Sequence, residues 1–357
     1  MRTFPLFTID SPTPLFRHKL PVYDLFHTRG RYIGMVAPYY TRVALRRLRV
    51  SIDGRIVGCW KLPDPREFTA SIMAEIPGAL RGKESWHVQV QYCGHVIHQQ
   101  RVARLPYRGR LAAATLCKYD WPYLDEWIDY HHQLGFEHFY IYNNSEPRIT
   151  RAMHRHLASG TATEIPWPYS YKLYSAHWEP FWPPDSHHYT QPPQQMHALL
   201  KYGDSWEWIG LFDADEFVVP MTDEPLIETL DRASVNRDWC EYPYLRCAGV
   251  EMEGKWFGSA GHSGEAKSPV VRNYTKCEQG HTAGTKWIAR PACVDSTAVH
   301  YCETTKGQPA RVATNILRYN HYRAISAHKK RCMSADHAHY SNETTDTRLV
   351  EVQRGLT

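Results

Sequence analysis

The chain has 357 residues, 43% of them hydrophobic and 22% charged, with a net charge of +5. This balance excludes a disordered polymer, the length favours two domains over one, and the mild charge argues against nucleic acid as the partner. The 12 Trp and 23 Tyr are a further bias: ring faces of this kind stack on sugars or nucleobases, or else fill cores.

Residues 1–30 carry prolines and charges where a leader would carry an apolar core, and no later stretch is long enough to span a bilayer. Nine scattered cysteines, without a Cys-x-x-Cys pair, do not make a secreted disulfide framework, although Cys240 with Cys247 or Cys293 with Cys302 could pair. The expectation is a cytoplasmic protein. From 31 to 104 the pattern is all-β. Leu48, Val50 and Ile52 alternate with polar residues and meet Asp53-Gly54, a two-residue hairpin turn. Phe68 to Ile76 and Trp86 to Tyr92 alternate again, and Val96 and His98 continue after Cys93-Gly94. These strands predict a small β-sandwich, a structural module or a carbohydrate-binding one.

Residues 105–110 read as a linker into a second domain, 111–335, with 336–357 as a tail. Leu111 to Cys117 is an apolar run of buried-strand length. Pro122 opens a helix whose Leu124, Trp127, Ile128, His131 and Leu134 recur at helical spacing until Gly135, and Phe139 to Tyr142 is the next strand. Strand, helix and strand in so short a span make a βαβ unit and hence a parallel sheet. A helix starts near Met153, a long ordered loop covers 166–193, and Gln194 to Tyr202 is helical. Helix follows Pro225 to about Ala233, then strand from Trp239 to Val250, then an irregular loop marked by Gly254, Gly258, Gly261 and Gly264.

The stretch around which the rest is organised is Trp206 to Pro220, where an apolar strand ends in Asp213-Ala214-Asp215-Glu216. On extended backbone Asp213 and Asp215 leave the same face, and two like charges so placed call for a cation between them. Oxygen donors suit Mg²⁺ or Mn²⁺, ions that complete their shells with phosphates, and open α/β sheets bind ligands at strand C-terminal ends. An acidic surface turn is the plain alternative. No Ser-His-Asp set is evident, and Cys117 has no neighbours that would make it a nucleophile. His131-His132, His187-His188 and His337-x-His339 lack the paired cysteines or the His-Glu-x-x-His spacing of a zinc site.

Four blocks, in order, resemble glycosyltransferase family 92: Lys118 to His131 with Leu134 to Asn144; Asp213 to Phe217; Lys286 to Pro291 leading to Val299-His300; and Asn320-His321-Tyr322 followed by Ser326. The resemblance covers about 111–331. It implies a GT-A fold, a Rossmann-like mixed sheet flanked by helices, and an inverting transfer of a hexose, galactose first, from a UDP-sugar to a glycan with Mn²⁺ or Mg²⁺ bound. It implies Asp213, Asp215 and His300 as metal ligands. Cys117, Lys118, Tyr119, Asp120, Asn143, Asn144 and Ser145, together with Asp213, Ala214 and Asp215, would hold the nucleotide sugar. Many relatives carry Asp where Asn143-Asn144 stands, which changes the donor and acceptor pattern offered to a uridine. Lys286 and Arg290 are candidate diphosphate clamps. Inversion needs a carboxylate base for the acceptor hydroxyl, with Glu253 and Glu265 as candidates, while Trp256, Phe257 and His262 are expected to line the acceptor site. The rival readings are a non-catalytic sugar-binding protein on the same fold and a phosphotransferase with Asp213 as nucleophile.

Overall fold

The structure, a computed structural model, describes residues 22–38, 45–64, 69–118, 121–144, 146–168, 172–173, 188–189, 191–239, 245–262, 268–322 and 343–355. The chain divides into two compact units, one of residues 1–108, 170–206 and 294–298, the other of 109–169, 207–293 and 299–357. The linker expected at 105–110 therefore holds the first crossing.

In the first unit two four-stranded antiparallel sheets share one core. The first has Asp24–Thr28 at one edge, so the β structure begins before residue 31, where the all-β pattern was expected to start. Period-two alternation turns Leu48, Val50 and Ile52 inward along one strand and Trp86, Val88, Val90 and Tyr92 inward along its partner. Asp53 and Gly54 both take positive φ, 50° and 79°, as a two-residue hairpin of the matching twist requires. The expected alternation fails at Val96. A bulge between Val90 and Gln91 shifts the register, so Ile97 is buried and Val96 is exposed. The helix Gln191–Tyr202 also belongs to this unit, beginning three residues before the expected start with Pro192 and Pro193 in its first turn. Of the expected loop 166–193 the structure describes only its two ends and the pairing of Lys172–Leu173 with His188–Tyr189; the rest lies outside the described residues.

The second unit is a nine-stranded mixed sheet with helices. We label its strands β1 (Gly109–Cys117), β2 (His138–Asn143), β3 (Ala162–Pro166), β4 (Trp206–Leu211), β5 (Glu216–Pro220), β6 (Cys247–Trp256), β7 (Thr285–Ala289), β8 (Gln308–Arg311) and β9 (Leu317–His321). Their order is β3-β2-β1-β4-β7-β6-β9-β5, with β8 beside β6. β1, β2 and β3 run parallel, whereas β7 is antiparallel to β4 and β6, and β5 to β9. β1 is buried from Leu111 to Cys117, as a continuous apolar run in a parallel sheet should be. The helix Leu124–Gln133 follows a 3₁₀ turn at Trp121–Tyr123, and Gly135, at φ 100°, stops it. The strand expected at 239–250 lies further on, at 247–256. Gly254 is inside it rather than in a loop, because the Tyr319 ring occupies the place of its side chain: a Cβ there would stand 2.2 Å from Tyr319 Cζ. The tail from 343 is also part of this unit, since Thr344–Thr345 pairs with Lys276–Cys277 and the helix Arg348–Gly355 follows. Among the described residues no helix is long and apolar enough to cross a membrane.

Candidate functional site

β4 ends at Leu211, two residues before the first carboxylate of the Asp-x-Asp. Asp213 to Glu216 then form a turn, with the Glu216 amide donating to the Asp213 carbonyl at 3.0 Å and the Asp213 amide donating to Glu216 Oε2 at 2.8 Å. The two aspartates therefore do not share one face of extended backbone. Asp213 meets Lys286 Nζ at 3.1 Å, while Asp215, buried, has Oδ2 3.4 Å from His321 Nε2. Glu216 opens β5 and is buried as well. Its Oε2 lies 3.0 Å from Lys286 Nζ and its Oε1 3.3 Å from His321 Nδ1.

One helix holds this turn in place. Trp127, Tyr130 and His131 stand at i, i+3 and i+4 on a single face. The indole of Trp127 donates to the Glu216 carbonyl at 2.7 Å, and Tyr130 donates its hydroxyl to the Val218 carbonyl at 2.6 Å. His131 accepts from the Val218 amide at 3.1 Å through Nε2 and lies 2.8 Å from the Trp127 carbonyl through Nδ1. That pairing fixes the neutral tautomer, and burial pushes the ring's pKa down to about 3. This is a satisfied core histidine. Neither His131 nor His132, whose Nδ1 meets the Phe136 carbonyl, joins the metal-competent group.

Strand register decides what else reaches the carboxylates. β5 and β9 pair Glu216 with His321, β6 and β9 pair Trp256 with His321, and β6 and β7 pair Met252 with Lys286. Cross-strand partners share a face and alternate residues change face. Lys286, Glu216, His321, Trp256 and Gly254 therefore lie on one side of the sheet. Glu253 pairs with Thr285 and faces the other side, so the sheet separates this expected base from the carboxylates. The Trp256 ring, half-buried, lies 4.3 Å from that of His321 at 32°. Phe257 is 1% exposed and packed on Tyr322 in the core, with no ring face to offer a sugar. His262 is 3.1 Å from the Asn273 carbonyl and packs edge-on to Tyr274.

The two expected clamps separate. Lys286 is buried between Asp213 and Glu216; burial alone would lower its pKa, but those two carboxylates hold it well above the usual lysine range. Arg290 follows the far end of β7, where its guanidinium meets Glu207 at 3.2 Å and lies 4.4 Å above the Trp208 ring. Since Ile209 pairs with Ala289, the register carries Arg290 away from Asp213. Its cation is engaged at the opposite end of the strand from Lys286 and Asp213.

At the parallel end of the sheet, Cys117 and Asn143 are register partners at the ends of β1 and β2. Asn144 donates to the Trp167 carbonyl at 2.8 Å, and Asn143 bonds the Glu164 carboxylate and the backbone of Glu146. These amides shape the strand ends themselves, with Lys118 half-buried beside them. Tyr119, Asp120, Ser145 and Glu265 lie outside the described residues, as do His187, His337, His339 and Ser326.

Asp215, Glu216 and His321 are all buried and each can offer a ligand atom within 4.8 Å of the others. Bonds of about 2.0–2.2 Å set neighbouring donors of an octahedral ion roughly 3 Å apart. The 3.4 Å contact from His321 Nε2 to Asp215 is close to that spacing; the 3.3 Å contact to Glu216 is made by the other ring nitrogen, Nδ1, and one ion could take only one of the two nitrogens. Two carboxylates and an imidazole form a mixed O/N set of the kind that suits a first-row divalent ion. The group could hold a metal. His300, expected to be the histidine ligand, is exposed in the turn before the strand Tyr301–Glu303, with Nδ1 3.2 Å from the Thr285 carbonyl. His321 is the histidine that the fold brings to the carboxylates. Its one signal in the sequence was its place in the block Asn320-His321-Tyr322.

A mixed, partly parallel sheet flanked by helices, with a buried carboxylate–histidine group after a central strand, defines an α/β protein with a metal-competent site. The sequence sharpens this class: residues 113–354 match the family model Glycosyltransferase family 92, and the chain belongs to that family. Among its curated relatives, a glycosyltransferase family 92 protein of Oryza sativa subsp. japonica is 24% identical over 219 residues, covering 60% of this chain and 33% of the relative. One of Ricinus communis is 26% identical over 231 residues, covering 60% and 36%, and one of Arabidopsis thaliana is 25% identical over 223 residues, covering 60% and 35%. The chain thus spans about a third of the length of the curated relatives it matches.

Proposed function

We propose that this chain is an inverting glycosyltransferase of GT-A type that moves a hexose, galactose first among the candidates, from a UDP-sugar to a glycan acceptor. The observation that carries the reading is the buried Asp215–Glu216–His321 group at the end of a central strand in a chain of family 92. Those three residues would hold a divalent ion, Mn²⁺ first. Asp213, half-buried at the same turn, is proposed to face the nucleotide sugar. When bound, such an ion stabilises the negative charge that builds on the diphosphate as the bond to the sugar breaks.

The chain's own residues do the rest. Trp127 and His131 hold the backbone at Glu216 and Val218, and so the position from which Asp215 and Glu216 would reach an ion. Trp256 offers its indole face beside His321 as a stacking surface for a sugar or a base. Inversion requires a carboxylate that takes the acceptor's proton, and with Glu253 on the other face of the sheet, Glu265 is the proposed base. Asp215→Asn should abolish transfer from UDP-sugars while leaving the fold intact, and EDTA should do the same to the wild type. Glu265→Gln should lower kcat more than about tenfold with little change in donor binding. Full turnover by the Asp215 variant, or by the wild type in EDTA, removes the metal reading. A silent Glu265→Gln removes only the base.

A further inference from the structure

Lys286 is 1% exposed, and its ammonium touches two carboxylates of the site, Asp213 Oδ2 at 3.1 Å and Glu216 Oε2 at 3.0 Å. A lysine that only filled space here would cost several kcal/mol in lost hydration, so its retention needs a reason in charge or in geometry. Both are visible. Asp213, Asp215 and Glu216 fall within four consecutive positions, the last two buried, and such crowding of carboxylates is unfavourable without cations. Lys286 comes from a neighbouring strand whose backbone is held from both sides, by Trp287 and Ile288 pairing with Leu211 and Gly210 on β4 and by Lys286 itself pairing with Met252 on β6.

The geometry divides the Glu216 carboxylate into two ends. Oε2 takes the Asp213 amide at 2.8 Å and the ammonium at 3.0 Å, which leaves Oε1 directed at His321 Nδ1, 3.3 Å away. Rotation about the carboxylate bond would exchange these oxygens, and the two donors on Oε2 oppose it. We propose that Lys286 is a positioning residue and fixed counter-charge. It orients Glu216 toward the metal position and cancels one carboxylate charge, so that the turn is stable before an ion arrives and the ion is held no more tightly than one divalent charge requires. This deepens the metal reading of the same site and rests on it. It replaces the diphosphate-clamp role expected for Lys286, since an ammonium engaged on both sides by carboxylates is poorly placed to turn toward a phosphate.

The sign follows from Coulomb's law. Removing a buried positive charge beside the ion's ligands should destabilise the empty site and strengthen cation binding. Lys286→Met keeps the length of the side chain and removes the charge. The full chain is titrated with Mn²⁺, following free Mn²⁺ by electron paramagnetic resonance and unfolding by thermal melting. We expect Lys286→Met to melt lower than wild type without metal, to bind Mn²⁺ at least tenfold more tightly, and to gain a larger Mn²⁺-induced rise in Tm. Lys286→Arg should bind within about threefold of wild type.

Asp213→Asn combined with Lys286→Met removes one charge of each sign and keeps the sum, so it should fold even where the single variant does not. Its Mn²⁺ affinity should also return to within about threefold of wild type, the counter-charge being the quantity that matters. Mn²⁺ binding in Lys286→Met that is equal to or weaker than wild type overturns the proposal. So does a double variant that binds ten times more tightly than wild type. In both cases the metal reading survives. If neither wild type nor variants bind Mn²⁺ at millimolar concentration, the metal reading falls and the role of Lys286 falls with it.

Discussion

Replacing His321 by alanine separates the two histidines that compete for the role of ligand to the proposed metal. In the structure the His321 ring is 5% exposed, has a carboxylate oxygen at 3.3 Å from one nitrogen and 3.4 Å from the other, and packs against Trp256 with ring centroids 4.3 Å apart. His321→Ala removes one of the three proposed protein ligands and the group that separates two buried carboxylates. Loss of a residue that merely orients a ligand lowers metal affinity about 10- to 100-fold, so loss of a ligand should cost at least the upper figure, about 2.8 kcal/mol at 1.4 kcal/mol per decade. Truncating a buried ring adds a fold cost of about 2–4 kcal/mol, which appears without metal as well. His300→Ala is the control. Its ring is exposed and its visible bond is to the Thr285 carbonyl, so the stability change should be about 0.5–1.5 kcal/mol and Mn²⁺ affinity should stay within about threefold. The assay is Mn²⁺ titration by electron paramagnetic resonance, with urea unfolding in EDTA to isolate the fold term. A His300→Ala protein that loses Mn²⁺ while His321→Ala binds normally would refute this assignment and restore His300 as the ligand.

Two further outcomes follow from the packing. Gly254→Ala would place a methyl 2.2 Å from Tyr319 Cζ, in a ring that is fully buried and whose hydroxyl donates to the Ala283 carbonyl at 2.8 Å. Overpacking of this kind costs about 1–3 kcal/mol in urea unfolding, and because Tyr319 is two residues from His321 on β9, Mn²⁺ affinity should fall too; a neutral substitution would show that β6 and β9 can part freely. The buried, neutral His131 should make the protein acid-sensitive. Its folded pKa, about 3, is below the unfolded value near 6.5, so the unfolded chain binds the extra proton between them. Its contribution is complete above about pH 6.5 and is lost as pH falls toward 3. Between pH 4 and 6 it should steepen the loss by about 1.4 kcal/mol per pH unit relative to His131→Phe, measured by urea unfolding, and parallel slopes would refute it.

What could be read from the chain alone was local. The apolar run from Leu111 to Cys117, the helical spacing of Trp127 and His131, the stop at Gly135 and the Asp53-Gly54 hairpin all depend on neighbours within a few residues, and each appears where the pattern placed it. The carboxylate cluster and the family were legible for the same reason, since both are carried by contiguous motifs. Tertiary structure decided which side chains meet. A turn at Asp213–Glu216 divided two aspartates that extended backbone would have kept on one face. Register sent Glu253 and Lys286 to opposite faces, although their strands are adjacent. It also carried Arg290 to the far end of β7 and brought His321, from the last strand of the sheet in chain order, against Asp215 and Glu216. A one-residue change of register reverses the face of every side chain on a strand, and register is set by cross-strand packing that no local window contains. Gly254 shows the same limit: it resembles a loop residue until the ring of Tyr319, contributed by β9, fills the space its missing side chain leaves open.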